Sequence, residues 1–275
     1  MKKVKVFFKD PQSIIGLVIL AVMLALAIFA PAICPGNPIF SVGIPLQAPG
    51  GEFLMGTDYL GRDVWAMLVW GSRVSIIFAF GASLLSLLVG IVLGALSGYI
   101  GGWLDGLMCR IFELFYIIPR TFLVILMVAF FGSSISLMVI IVGLTIWPSN
   151  AKIMRAQVLT LKRRGYVQAA DVAGGTKLGI LFRHIVPNGM GPVLSNSVLQ
   201  MAQAVLTEAS LSFLGLGDPN QASWGLILNA GQRNISTAPW LVIFPGIALA
   251  LLLLAFNLIG TALHRTLNVK QAVTE

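Results

Sequence analysis

The sequence predicts an all-α membrane protein with six transmembrane helices, and its composition, its apolar runs and the placement of its basic residues support this. Of the 275 residues, 57% are hydrophobic and 10% are charged, whereas a soluble domain carries about 25% charge. The mean hydropathy is +0.93. Too little polar sequence remains outside the apolar runs to build a soluble domain of ordinary size.

Six apolar stretches approach the length of about 20 residues that a helix needs to cross a bilayer. Runs such as Ile14–Ala32 and Leu241–Phe256 lack the polar face that a helix on the surface of a soluble protein shows. We expect the short fourth stretch to begin in the turn at 132–134 and to end at 147–148. In chain order the predicted spans are approximately 13–33, 74–99, 107–131, 134–150, 188–214 and 240–263.

Basic residues give the predicted orientation through the positive-inside rule. Six spans place both termini on one side, and fourteen of the 18 Lys and Arg residues fall on that side. Arg62, Arg73 and Arg233 fall on the other side, and Arg120 lies within a span. Both termini and the 151–187 loop are therefore predicted to be cytoplasmic. The fourteen are Lys2, Lys3, Lys5, Lys9, Arg110, Lys152, Arg155, Lys162, Arg163, Arg164, Lys177, Arg183, Arg265 and Lys270.

This topology divides the chain into two predicted parts. Residues 1–73 would form a cytoplasmic tail, the first transmembrane helix and an extracytoplasmic loop. Residues 74–275 would form the transmembrane core with its cytoplasmic loop at about 151–187. We expect the first helix to be retained, because its apolar run is longer than the usual apolar region of a signal peptide.

Ionisable residues interrupt two of the predicted spans. Glu113 and Arg120 fall in the third span together with Pro119, and Glu208 falls in the fifth. Glu113 and Arg120 are two helical turns apart, so we expect them to share a face at about 10 Å along the axis. Charged groups are costly in hydrocarbon, so all three should face the bundle or a water-filled path. Structural pairing and a role in lining a translocation path both remain open.

Small and sulfur-containing residues add two further expectations. Gly90, Gly94, Gly98 and Gly102 recur every four residues, which predicts a stripe that lets another helix approach closely. The two cysteines, Cys34 and Cys109, fall at opposite faces of a bilayer core about 30 Å thick. A disulfide cannot span that distance, so both are predicted to be free thiols.

The chain lacks the motifs of catalytic and nucleotide-binding sites. Residues 174–177 resemble the end of a phosphate-binding loop, but the upstream glycine and strand are missing. His184 and His264 are the only histidines, and both fall at the predicted cytoplasmic side, so we expect no histidine-based metal cluster or Ser/His/Asp set across the membrane. A nucleic-acid interface would need a basic soluble face. We expect no enzymatic activity, no cofactor and no metal in this chain, and no nucleic-acid partner.

A polar segment between the fourth and fifth spans is the best candidate for a functional element. Ala169, Ala170 and Ala173 favour helix and present small side chains. The pair at 174–175 can end this helix. Pro187 can begin the next one, where its missing N–H costs nothing. A short helix held between two spans can transmit force to a partner.

The spacing of Ala169-Ala170, Gly174 and Pro187 resembles the cytoplasmic EAA signature of ABC importer permeases. The signature departs from its usual form at Gln168, where Glu is usual, and at His184, where many permeases carry Ile. Three further stretches resemble the second permease subunit of dipeptide, oligopeptide and nickel importers: Gly56–Asp63, Phe213–Gly217 and Ser223–Gly225.

This resemblance implies a type I ABC importer permease fold in a bacterial or archaeal cytoplasmic membrane. It implies a homologous second permease, two ATP-binding subunits that hold ATP and magnesium, and an extracytoplasmic substrate-binding protein. It also implies contact with the ATPase through the 166–186 loop, where Gln168 would hydrogen bond without the usual charge. The residues assigned to this contact are Gln168, Ala169, Ala170, Gly174, Lys177 and Pro187.

The resemblance does not separate peptides from nickel, free or chelated, as the substrate. Two other classes of function remain. A secondary transporter or channel driven by an ion gradient would suit Glu113, Arg120 and Glu208, but the spans show no convincing internal repeat. A structural subunit of a membrane redox complex would need haem or iron–sulfur ligand patterns, which the sequence lacks.

Overall fold

The computed structural model describes residues 6–268, which contain helices and no β-strand. Lys2, Lys3, Lys5 and Lys270, counted in the charge asymmetry, lie outside the described residues. The helices, in chain order, are α1 Pro11–Ile33, α2 Val64–Ile100, α3 Gly102–Ile117, α4 Arg120–Phe131, α5 Ile135–Leu161, α6 Gly165–Val172, α7 Lys177–Ile180 with a π-helical turn Leu181–Ile185, α8 Val186–Phe213, α9 Trp224–Gln232 and α10 Trp240–Asn268.

Length and hydropathy identify four of the described helices, α1, α2, α5 and α10, as able to cross a membrane. Helices α3 and α4 pass the same test together and make a fifth span if the bent pair counts as one. Helix α8 has 28 residues, about 42 Å of helix, but it is not among the spans that the test selects. The all-α prediction is confirmed, and the sixth span stays a prediction.

Two predicted boundaries are wrong. Helix α2 begins at Val64, so the expected division between residues 73 and 74 falls inside one continuous helix. Helix α5 continues through Pro148 to Leu161 instead of ending at that proline. The helix begins after Ser134, as predicted from the turn at 132–134.

The third predicted span is broken at Ile118 and Pro119. Helices α3 and α4 meet there at 85°, since proline disfavours helical conformation in the residue before it. Ile118 accordingly has an extended conformation, with ψ at 124°. The expectation that Glu113 and Arg120 share one helical face is therefore wrong, because they lie on different helices.

The long helices place two sets of connections at opposite ends of the bundle. We call the end that carries residues 162–185 the basic end, and the end that carries residues 34–63 the loop end. At the basic end, Arg265 of α10 pairs with Asp10 before α1 at 3.2 Å. At the loop end, the Trp240 indole N–H donates to the Thr57 carbonyl oxygen at 3.1 Å. These contacts hold the chain's distant segments together.

Helices α2 and α5 pack closely along the predicted glycine stripe. A Cβ on Gly90 would lie 2.5 Å from the Asn150 Cβ, and Cβ atoms on Gly94 and Gly98 would meet the backbone of α5 at Ala151 and Arg155. Gly102 does not belong to the stripe, because α2 ends at Ile100 and Gly102 begins α3. The first three glycines therefore hold these two helices in backbone contact.

A buried polar seam joins α2, α5 and α8. The Asn150 amide donates to Ser86 Oγ at 3.1 Å and to Gln200 Oε1 at 2.8 Å. The Gln200 amide donates in turn to the Ile146 carbonyl oxygen at 3.0 Å. Asn150 and Ser86 are fully buried and Gln200 nearly so. Satisfied polar groups in a buried setting specify one arrangement of the helices that carry them.

Candidate functional site

The candidate coupling segment, residues 165–185, forms two short helices joined by a glycine turn. Helix α6 ends as predicted at the glycine pair, where Gly174 has a positive φ of 80°. The Gly175 N–H donates to the Ala170 carbonyl oxygen at 3.0 Å. The Thr176 hydroxyl then caps α7 by accepting from the Gly179 N–H at 3.2 Å. Helical structure continues without a break into α8, and Pro187 lies in the first turn of α8.

One face of this segment is fixed in the bundle. Val167, Ile180, Leu181 and Ile185 are buried in a cluster with Met154 of α5. The segment therefore cannot move independently of α5 without exposing apolar surface to water. The free-energy cost of that exposure is proportional to the area exposed.

The other face of the segment is open and apolar at several positions. Val172 is 89% exposed, and Leu178 is 59% exposed. Tyr166 and Phe182 are each 43% exposed. A groove of about 510 Å³ lies beside them, between the segment and the ends of α2 and α5. Exposed apolar groups of this kind mark a site of contact with another protein or with a membrane.

Five of the six residues predicted for coupling lie on this segment, Pro187 lies just beyond it in α8, and their exposures differ. Gln168, Ala169, Gly174, Lys177 and Pro187 are exposed. A Cβ on Gly174 would meet no atom within 4 Å. Ala170 is half-buried and packs on the cluster that fixes the segment, so its small side chain serves internal packing.

An ion pair that the sequence interpretation missed stabilises the same end of the bundle. Arg155 of α5 binds Asp105 of α3 through two hydrogen bonds, of 2.5 and 2.6 Å. The Ser97 hydroxyl of α2 donates to the same carboxylate at 2.6 Å. Nearby, the Lys162 ammonium donates to the Tyr99 carbonyl oxygen at 2.7 Å. Asp105, the single acidic residue at the start of α3, was the sequence signal for a basic partner.

The three ionisable residues expected inside the bundle have different environments. Glu113 is exposed and pairs with Arg110 at 3.3 Å. Arg120 is exposed at the start of α4. Only Glu208 is buried, and its Oε1 accepts from the Ser212 hydroxyl at 2.7 Å. Glu113 and Arg120 therefore lie outside this chain's own bundle interior, and their role in lining a water-filled path stays a prediction.

At the loop end, the segment Gly56–Asp63 forms a compact hydrogen-bonded turn. Buried Arg62 pairs with fully buried Asp58 at 2.5 Å. The other carboxylate oxygen of Asp58 accepts from the N–H groups of Leu60 and Arg62, each at 2.9 Å. Asp63 begins α2 by accepting from the Trp65 N–H. Burial raises the pKa of the Asp63 carboxyl, although backbone hydrogen bonds oppose the shift.

The segments that follow α8 also lie at the loop end. Gly215 has a φ of 82° and ends α8, with the Leu216 N–H donating to the Leu211 carbonyl oxygen at 2.8 Å. Trp224 is fully buried, and its indole N–H donates to the Leu68 carbonyl oxygen at 2.8 Å. A Cβ on Gly225 would overlap the backbone of α8. Helix α9 is thus packed tightly against both α2 and α8.

The described part of the chain contains no assembled metal-binding or reactive-thiol site. Residues 6–268 hold no group of three or more His, Cys, Asp or Glu side chains able to bind a metal ion. Cys34 and Cys109 are free thiols, as predicted. Burial raises the pKa of the Cys34 thiol, with the Asp63 carboxylate adding to the shift.

Comparison with known proteins identifies the family. The family model described as the binding-protein-dependent transport system inner membrane component matches residues 90–271. A second model, the N-terminal transmembrane domain of oligopeptide transport permease C, matches residues 3–49. The chain belongs to the family of binding-protein-dependent transport permeases. It is thus a permease subunit of a binding-protein-dependent ABC importer, a transport protein and not a member of an enzyme family.

Named relatives in this permease family align over almost the whole chain. A dipeptide transport system permease of Alkalihalophilus pseudofirmus is 35% identical over 95% of this chain and 87% of its own length. An oligopeptide transport system permease of Haemophilus influenzae is 36% identical over 96% of this chain and 86% of its own length. A glutathione transport system permease of Pectobacterium atrosepticum is 33% identical over 96% of this chain and 89% of its own length.

Proposed function

We propose that this permease imports peptides, with a homologous second permease completing the path. The relatives named above carry dipeptides, oligopeptides or glutathione according to their names, and this favours peptides over nickel. The assembly would include two ATP-binding subunits, which hold ATP and magnesium, and an extracytoplasmic binding protein. This chain would need no cofactor of its own.

The proposed membrane arrangement has six spans, with α3 and α4 as one bent span and α8 as the remaining one. Both termini and the basic end would lie in the cytoplasm, and the loop end outside. Four basic residues support this orientation, because they lie at or near the basic end: Lys152, Arg155, Lys162 and Arg183. A membrane-impermeant thiol reagent applied to intact cells, in a Cys34→Ser, Cys109→Ser background, should then label Gln221→Cys and miss Thr176→Cys. Labelling of Thr176→Cys in sealed cells would reverse the orientation.

The proposed coupling element is the segment of residues 165–185, and one observation carries this proposal. The segment is fixed to α5 by a buried apolar face and presents Val172 and Leu178 to the outside. An ATPase subunit that covers this open face could push on α5 and α8 through the buried one. Closure of the ATPases on ATP would then change the tilt of the helices between inward-open and outward-open states.

The test is co-purification of the ATP-binding subunits with permease variants, measured alongside peptide uptake. Gly174→Asp and Ala169→Arg should both weaken association and stop uptake, since a buried unpaired charge at an interface costs about 3–5 kcal/mol. Both positions are exposed in the chain, so membrane insertion should survive. Asn220→Asp, exposed at the loop end, is the matched control. Normal association and uptake in both basic-end variants would exclude this segment as the coupling element.

The alternative of an ion-gradient-driven transporter was suggested by Glu113, Arg120 and Glu208. The match to binding-protein-dependent transport systems disfavours it. The isolated chain should show no ATPase activity above a mock preparation, whereas the assembled complex should hydrolyse ATP.

A further inference from the structure

Helix α8 carries polar side chains on two different faces. The first face belongs to the buried seam, where Ser197 and Gln200 hydrogen bond to neighbouring helices. The second face contains Asn196, Gln203, Thr207 and Ser210, whose spacing of seven, four and three residues places them on one stripe. Packing between helices accounts for the first face. On the second face Asn196 also hydrogen bonds to α5, through Ser149 and Asn150, whereas Gln203 is exposed and has no such explanation.

Helix α10 carries a matching polar stripe in its basic half. Asn257, Thr261 and His264 are exposed and are separated by four and three residues, which puts them on one face. The same face continues toward the loop end as Leu254, 45% exposed, and Ile247, 53% exposed. One face of α10 therefore changes from apolar to polar between Leu254 and Asn257.

The packing of the two helices places these stripes beside each other. Leu199 of α8 packs on Gly260 of α10, and Leu267 of α10 packs on Gly191 of α8. The helices thus run antiparallel. At this register Gln203 lies at the level of Asn257, and Asn196 at the level of His264. We call these residues together with Thr261 the α8–α10 cleft.

Within the described residues, the hydrogen bonds of the cleft leave the Gln203 amide without a partner. The Asn257 amide N–H donates to the Leu253 carbonyl oxygen at 2.8 Å, and the Thr261 hydroxyl donates to the Asn257 carbonyl oxygen at 2.8 Å. The Gln203 side chain forms no hydrogen bond to another residue within 6–268. A primary amide has two donor hydrogens and an acceptor oxygen, and leaving them unpaired in hydrocarbon is costly. This face is therefore better suited to water than to lipid.

A cavity extends the cleft at the basic end. Its volume is about 500 Å³, and α5, α8 and α10 line it with Ser195, Asn196, Thr261 and His264 beside Ile153 and Leu199. Pockets that hold small molecules are about 300–1,000 Å³ and combine apolar walls with a few placed polar groups. The cavity matches this description in size and lining.

We propose that the α8–α10 cleft is this subunit's wall of the translocation path and binds amide groups of the transported solute. The inference rests on the proposed import of peptides and assigns residues to it. The side-chain amides of Gln203 and Asn257 each offer donors and an acceptor, which complement the N–H and carbonyl groups of a peptide backbone. The apolar stretch from Ile247 to Leu254 forms the drier part of the same wall toward the loop end.

Thiol accessibility in the reconstituted importer tests whether the cleft faces water. In a Cys34→Ser, Cys109→Ser background, Gln203→Cys and Asn257→Cys are treated with a charged methanethiosulfonate reagent. Val22→Cys, halfway along α1 and 54% exposed on an apolar helix, is the control at similar depth. Both cleft thiols should react at least about tenfold faster than the control, because the thiolate that reacts forms only with access to water. Reaction no faster than the Val22→Cys control would overturn the proposal.

Uptake in the same vesicles tests contact with the solute, with trialanine and the binding protein as the probe. Gln203→Leu should lower uptake about tenfold, the effect of about 1.4 kcal/mol of lost hydrogen bonding. Gln203→Asn, which keeps the amide, should stay within about twofold. The proposed contact with the solute would be overturned by two results together. Uptake by Gln203→Leu would equal that of the wild type, and trialanine would not slow the labelling of Gln203→Cys. Absence of trialanine uptake by the wild-type importer counts instead against the proposed peptide import, and the labelling comparison still decides the cleft.

Discussion

The loop-end segment 56–63 and the basic-end segment 165–185 both resemble family motifs, yet they differ in where their side chains point. In the first, Asp58 and Arg62 are buried, and their charges are paired inside the chain. In the second, Val172 and Leu178 are exposed and apolar. Both segments contain glycines with positive φ, so the turns themselves do not distinguish them.

This difference separates a motif that builds the subunit from one that is available to a partner. A buried polar group must find its partner within the fold, because leaving it unpaired is costly. An exposed apolar group is better explained by contact outside the chain. Substitutions in the loop-end motif should therefore reduce stability, and substitutions on the basic-end segment should reduce transport. The four predictions below run from the largest expected loss of stability to the smallest.

Asp58→Ala should cause the largest loss, because it leaves the Arg62 charge buried without its partner. Breaking a buried ion pair on one side costs about 3–5 kcal/mol. The measurement is the melting temperature of the detergent-purified chain, followed by fluorescence-detected size exclusion. Glu52→Ala, an exposed acidic residue in the same loop, is the control. A melting temperature equal to that of the control would mean that the ion pair contributes nothing to the turn.

Gly61→Ala should destabilise the chain more than Gly174→Ala, although both glycines have positive φ, at 72° and 80°. At Gly61 the added Cβ would overlap the Gly43 carbonyl oxygen, whereas nothing lies within 4 Å at Gly174. We expect about 1–2 kcal/mol for Gly174→Ala from the backbone conformation alone. Gly61→Ala should carry the same backbone cost and lose about 1–3 kcal/mol more from steric overlap. Equal melting temperatures for the two variants would contradict this distinction.

Trp240→Phe should reduce stability by about 1 kcal/mol, because it removes a single hydrogen bond while keeping an aromatic ring. The lost bond is the one from the indole N–H to the Thr57 carbonyl oxygen, which links α10 to the loop-end motif. Trp103→Phe is the matched control, since Trp103 is 80% exposed. The same thermal measurement compares them. A smaller loss for Trp240→Phe than for Trp103→Phe would argue against a structural link at this point.

Val172→Asp should change stability least, by under about 0.5 kcal/mol, since the residue is 89% exposed. Peptide uptake should nevertheless fall about tenfold or more, because the charge would be buried against the proposed ATPase partner. Val172→Ala keeps an apolar side chain and should retain most of the uptake. A Val172→Asp permease that melts normally and transports normally would show that the open face is not a contact surface.

Sequence reasoning identified much of the local structure and less of the long-range contacts. The turn at 174–175 followed from the conformational freedom of glycine, and the start of α5 followed from the turn at 132–134. The pairing of Asp105 with Arg155 joins positions 50 residues apart, which no local pattern could reveal. Pro148 shows the opposite error, because a proline that often ends a helix is accommodated within α5.

The sequence by itself determined the membrane class, the all-α fold, the free thiols and the family, because hydropathy and motif spacing are properties of the chain. Tertiary structure decided which polar residues meet. It separated Glu113 from Arg120 by bending the helix at Pro119, and it buried Glu208 while leaving Gln203 open on the same helix. Helical periodicity gives the face of each residue, but only the packing of α2, α5 and α10 around α8 decides which face is covered. For that physical reason the α8–α10 cleft could not be found from the sequence.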